Sequence, residues 1–134
     1  MEPNTILSSC PDGTAGSFHV DESTDRIKVY TTDATALAAG KTIRIDVTVW
    51  AFSSASDALD LYHTANASAS TPTWTYIGTL TPAGTGPQTL STTFTLPAGS
   101  QQAVRARFRF QGGPTTCSTG TNHYDDHDDL VFGV

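Results

Sequence analysis

The residues best equipped for chemistry gather near the C-terminal end, in Asp125-Asp-His-Asp-Asp129 with His123 two residues earlier. Four carboxylates and two imidazoles within seven positions repel one another unless positive charge shares the space. Three readings follow from the residue types. Calcium takes six to eight oxygens in flexible geometry, so it fits Asp128 and Asp129 at a strand start, Asp125 or Asp126 from the preceding loop, and Asp21 or Glu22 from an early acidic loop. A transition metal would use His123 and His127, although a four-residue spacing converges on a helix and this segment reads as loop entering strand. The third reading is a solvated acidic loop paired with arginines elsewhere in the chain.

Arg105, Arg107 and Arg109 form that candidate partner, alternating with Val104, Ala106, Phe108 and Phe110 so that the apolar set faces a core and the arginines face outward. They can pair across strands with Asp46 or Asp60, for a few tenths of a kcal/mol each. A sharper expectation joins them to Trp50, Tyr62 and Arg44, which hold the same parity within their strands, as one concave face. Aromatic rings beside guanidinium groups suit sugar rings or extended peptide. Trp74 and Tyr76 fit either core or surface. Catalysis has little support, because the chain has no nucleophile elbow, no His-Glu-x-x-His and no glycine-rich phosphate loop.

The elements that must position these residues are strands. Ile43, Ile45, Val47 and Val49 alternate with Arg44, Asp46, Thr48 and Trp50 over 41–52, and Leu59, Leu61 and His63 alternate with Asp60, Tyr62 and Thr64. Further strands are expected at 17–20, 26–30, 74–81, 88–96, 103–111 and 129–134, separated by Gly- and Pro-rich turns such as Pro82-Ala-Gly-Thr-Gly-Pro87. One helical turn over 34–38 would end at Gly40. About eight short strands with no repeat predict an all-β, two-sheet antiparallel β-sandwich of jelly-roll type. Residues 1–134 form one domain, with 1–16 a turn-rich lead and 17–134 the sandwich.

Composition narrows the function. The 134 residues include only 15% charged side chains and carry a net charge of −6, with seven Lys and Arg against thirteen acids. A basic footprint for nucleic acid is missing, and no apolar run is long enough for a membrane-spanning helix. The start, Met1-Glu-Pro, has no signal-peptide pattern and reads as an excised fragment or an internal domain. Cys10 and Cys117 are expected to bond, closing a loop of about 108 residues for at most roughly 4–5 kcal/mol and placing the chain in an oxidising compartment. Two unrelated thiols are the alternative.

The ending Asp128-Asp-Leu-Val-Phe132 resembles the Asp-Asp-Val close of galactose-binding-like jelly rolls, among them many carbohydrate-binding modules. That resemblance implies a structural calcium held by such an aspartate against the N-terminal segment. Ser56-Asp-Ala-Leu-Asp-Leu-Tyr62 is similar to the Asp-Ala-Asp-Leu-Tyr signature of the pre-peptidase C-terminal domain, with one residue more between Asp57 and Asp60. The stretch 57–134 resembles accessory extensions of secreted bacterial metallopeptidases. These likenesses imply a secreted, non-catalytic, calcium-stabilised accessory domain of a hydrolase, monomeric when isolated, that contacts protein substrate or surface. The alternative they imply is a carbohydrate-binding module for polysaccharide.

Overall fold

The computed structural model describes residues 23–110, 113–116 and 125–134. Seven strands run in chain order as β1 (Ser23–Thr31), β2 (Thr42–Ala51), β3 (Asp57–Thr64), β4 (Thr75–Leu80), β5 (Gly86–Thr95), β6 (Gln101–Phe110) and β7 (Asp126–Gly133). They form a three-stranded sheet, β1-β2-β5, and a four-stranded sheet, β4-β3-β6-β7. Every pairing is antiparallel, giving a two-sheet β-sandwich. A jelly roll closes with eight strands in two Greek keys. The further strand expected at 17–20 lies outside the described residues, as do Cys10 and Cys117.

Period-two patterning builds the core. Ile43, Ile45, Val47 and Val49 of β2 point inward and are wholly buried. They join a cluster with Leu59 and Leu61 of β3 and Val104, Ala106 and Phe108 of β6. Each of the side chains larger than alanine contributes about 1.5–3 kcal/mol by leaving water, and truncating Ile45 to alanine would cost about 2–5 kcal/mol.

Pro87 can start β5 because that strand is a sheet edge, where a missing N–H costs no ladder bond on the open side. The helical turn expected over 34–38 is a non-helical turn instead, with Ala34 at φ 60°. Asp33 outcompetes a helix there: its carboxylate accepts from Thr35 N–H (3.2 Å) and from Lys41 Nζ (2.7 Å).

The largest departure is at β7. The sequence suggests a loop as far as Asp128, but pairing with β6 begins at Asp126. Acidic residues are weak strand formers alone, and here the partner strand supplies what they lack.

Candidate functional site

Antiparallel register places Arg105 opposite Asp129, Arg107 opposite His127 and, across the other neighbour, Arg107 opposite Asp60. The arginines therefore point away from the apolar core, as alternation requires, yet they are buried: Arg105 is 1% exposed, Arg107 5% and Arg109 7%. The acidic tail and the arginine row, paired in the third reading of the tail, form one ionic layer that is buried rather than solvated.

Each arginine has a defined partner. Arg105 clasps Asp129 in a bidentate pair, Nε to Oδ1 at 2.7 Å and Nη2 to Oδ2 at 3.1 Å, and its guanidinium lies 4.2 Å from the centre of the Trp74 ring. Arg107 donates from Nε (3.0 Å) and Nη2 (2.5 Å) to Asp125, and from Nη1 to Asp60 (3.4 Å) and the Gly113 carbonyl (3.0 Å). Arg109 closes on Asp60 through Nε (2.6 Å) and Nη2 (3.2 Å). Thr79 of β4 donates to Asp60 Oδ1 at 2.7 Å and itself meets the Tyr76 hydroxyl. Among the described residues, three carboxylates thus engage the three guanidiniums. The Gly113 and Thr116 carbonyls reach the layer from the β6–β7 connection.

His127 occupies the same outer face and is wholly buried. Burial lowers its pKa to about 4, Arg107 and Arg105 push the same way, and Asp125 opposes them. The ring is neutral at pH 7. Tyr62, also on this face and 5% exposed, packs against Tyr76 with ring centres 5.5 Å apart. Burial raises its hydroxyl pKa, and the nearby Asp60 adds to the effect.

Strand parity divides the four tail aspartates. Asp125 and Asp129 serve the outer ionic layer, whereas Asp126 and Asp128 lie opposite Phe108 and Ala106 on the inner face. Asp126 Oδ2 accepts the Thr24 N–H at 2.6 Å, tying β7 to the start of β1. Among the described residues, no three of His, Cys, Asp and Glu converge on one point. Asp21, Glu22 and His123 lie outside the described residues.

The single aromatic and arginine face expected from parity is corrected by the topology. Trp50 and Arg44 belong to β2, and Tyr62 and the three arginines belong to β3 and β6 in the opposing sheet. Equal parity in facing sheets sends the two sets to opposite sides of the sandwich. Arg44 instead donates to Asp46 at 3.0 Å, beside Tyr30 (2.8 Å) and Ser91 (2.5 Å). Burial raises the Asp46 pKa, and these three bonds outweigh it and leave the group lowered. Asp46 is therefore not a partner of the arginine row, and Asp60 is.

No family model and no curated protein matches the chain. Its function rests on its own geometry. Sequence reasoning missed Thr79, the Trp74 stack and the burial of His127. The available signal was the two-residue spacing shared by Arg105, Arg107 and Arg109 with Asp125, His127 and Asp129, two complementary runs in the last two strands.

Proposed function

We propose that this chain is a non-catalytic, extracellular accessory binding domain of a larger hydrolase, a protease, and that it contacts protein substrate or surface. The observation that carries this reading is the mutual neutralisation of Asp60, Asp125 and Asp129 by Arg105, Arg107 and Arg109 in a buried layer. Groups locked in such pairs hold a frame together and are poorly placed to shuttle protons or attack a substrate. The likeness of 57–134 to metallopeptidase extensions supports the parent enzyme class.

Calcium belongs to the inner side of β7 in this reading. Asp126 and Asp128 share that face, and Asp21 and Glu22 immediately precede Ser23, whose neighbour Thr24 is bonded to Asp126. Four oxygen-bearing groups from those two stretches suit a hard cation. Asp125 and Asp129, already engaged by arginines, have no part in it.

Cosedimentation of the 134-residue chain with insoluble fibrous protein tests the function, with insoluble polysaccharides in parallel. Retention on protein together with silence in peptide and glycan hydrolysis screens is the expected result. Hydrolysis abolished by a point substitution, or no retention on any protein, overturns it. Calcium added after chelation should raise the melting temperature, and an unchanged melt removes the metal.

A further inference from the structure

At one end of the sandwich, where β3 ends, β4 begins and β5 runs out, the edges of the two sheets frame a pocket of about 480 Å³. That volume falls within the usual range for small-molecule sites. Its lining is chemically distinctive. Five threonines (Thr64, Thr71, Thr73, Thr75 and Thr95) and Asn66 supply hydroxyl and amide groups, Phe94 supplies an aromatic surface, and among the described residues no Lys, Arg, Asp or Glu lines it.

One lining residue is polar and buried. His63 is 2% exposed, and its ring lies 4.6 Å from that of Phe94, centre to centre. Its Nε2 is 2.7 Å from Gln102 Oε1, while the Gln102 amide nitrogen donates to the carbonyls of Pro97 (2.8 Å) and Gly99 (3.0 Å). Those two bonds identify the Gln102 oxygen as acceptor, so His63 carries its proton on Nε2. Nδ1 is thereby left with its lone pair, and His63 is one of the residues that line the pocket. Burial lowers the His63 pKa, against the bond to Gln102 which raises it, and the ring stays neutral at pH 7.

The wall is held in place before any ligand arrives. Gly99 adopts φ +149°, and a Cβ there would collide with the Ala65 carbonyl oxygen, so the β5–β6 turn presses directly on the loop after β3. Ala67 N–H donates to the Gln101 carbonyl at 3.0 Å, and Asn66 N–H to Thr64 Oγ1 at 3.3 Å. A preformed site binds with less ordering cost than a loose one.

We infer that this pocket is a binding site for a neutral, hydroxyl-rich ligand, a sugar residue, with His63, Asn66 and the threonines meeting its hydroxyls and Phe94 packing on its apolar face. A phosphate, carboxylate or ammonium ligand would lose hydration and find no counter-charge among the described lining residues. A purely apolar ligand would strand the threonine hydroxyls. The site is separate from the protein-contacting role above and does not depend on it.

Titration of the full chain with neutral mono- and disaccharides, followed by amide and imidazole NMR, tests the inference. Resonances of His63, Asn66 and Thr73 should move, and the uronic acid and phosphorylated counterparts should bind at least ~10-fold more weakly. Asn66→Ala and Thr73→Val change exposed side chains and so leave the fold intact. Each should weaken sugar binding by roughly 2- to 10-fold. No shift at these residues with any neutral sugar, affinity indifferent to both substitutions, or preference for a charged counterpart overturns the site. Retention on insoluble protein without any sugar response would overturn this inference alone and leave the accessory-domain reading standing.

Discussion

Asp60→Asn tests the ionic layer most directly. Asparagine keeps the shape of the side chain and an acceptor for Thr79, removes the charge, and turns one acceptor oxygen facing the arginines into an N–H donor. In the folded protein Asp60 is wholly buried and holds Arg109 at 2.6 and 3.2 Å and Arg107 at 3.4 Å. After the substitution the described carboxylates of the layer fall from three to two, Asp125 and Asp129, and its net charge rises by one. Removing one partner of a buried pair costs about 3–5 kcal/mol, a large part of the 5–15 kcal/mol that a domain typically holds. At roughly 3–5 °C per kcal/mol for a chain of this size, melting should fall by about 10–20 °C. Urea unfolding followed by tryptophan fluorescence measures the free energy, at low and at molar salt. Because the layer is dry, the loss should persist in salt that screens surface pairs. Asp46→Asn, in the partly exposed cluster on the other sheet, serves as the control and should cost no more than about 1 kcal/mol. Arg109→Met added to Asp60→Asn should recover part of the loss, since it removes the stranded charge. A loss below about 1 kcal/mol for Asp60→Asn, or one that vanishes in salt, would show that the arginines are solvated and refute the layer.

Acid should destabilise the fold through His127. Its pKa is about 4 folded against about 6.5 unfolded, so the unfolded state binds more protons in that window; this contribution is full above pH 6.5 and is lost as pH falls towards 4. Between pH 7 and 5 the loss is about 2 kcal/mol, and His127→Gln should flatten that part of the stability profile measured by urea unfolding. Gly99→Ala should destabilise by at least ~1 kcal/mol and disturb the Ala65 amide resonance, because the new Cβ meets the Ala65 carbonyl; a neutral outcome would mean the two loops are not in contact. Asp126→Ala removes the acceptor of the buried Thr24 N–H and should cost about 1.5–3 kcal/mol in chelator, with a greater loss in calcium; equal losses in both solutions would remove Asp126 from any metal site.

How much of this was legible follows from what alternation reports. Ile43 to Val49 and Val104 to Phe110 announced their strands, because an apolar residue at every second position has few other uses. The same periodicity ran through Asp125 to Asp129, where it was hidden by residue type: acids and histidine discourage a strand unless a partner neutralises them. Arg105, Arg107 and Arg109 are that partner, but the reading that paired them with the tail attached them to a solvated loop, not to a strand. Parity also misled, since it gives the face of a strand within its own sheet and says nothing of which sheet the strand joins. Trp50 and Tyr62 share parity and lie on opposite sides of the molecule. His63 was legible as inward-facing, but its bond to Gln102 connects strands 39 residues apart and has no local signature.

The layer also explains how β7 finds its register. A shift by one residue would set Asp128 and Asp126 against the arginines, so charge alone barely resists it. That shift would turn Leu130 and Phe132 out of the core that they pack against, and hydrophobic burial forbids it. A shift by two residues keeps Leu130 and Phe132 on the inner face, so apolar burial barely resists that error. It would bring either Val131 or His127 opposite Arg105 and break the Asp129 clasp, and a buried guanidinium facing an apolar or neutral group is costly. Apolar residues therefore exclude odd slips and ion pairs exclude even ones. Only with both is a single register selected, which gives Asp125 and Asp129 a structural reason to stand on the arginine face of the strand, whatever the inner pair also binds.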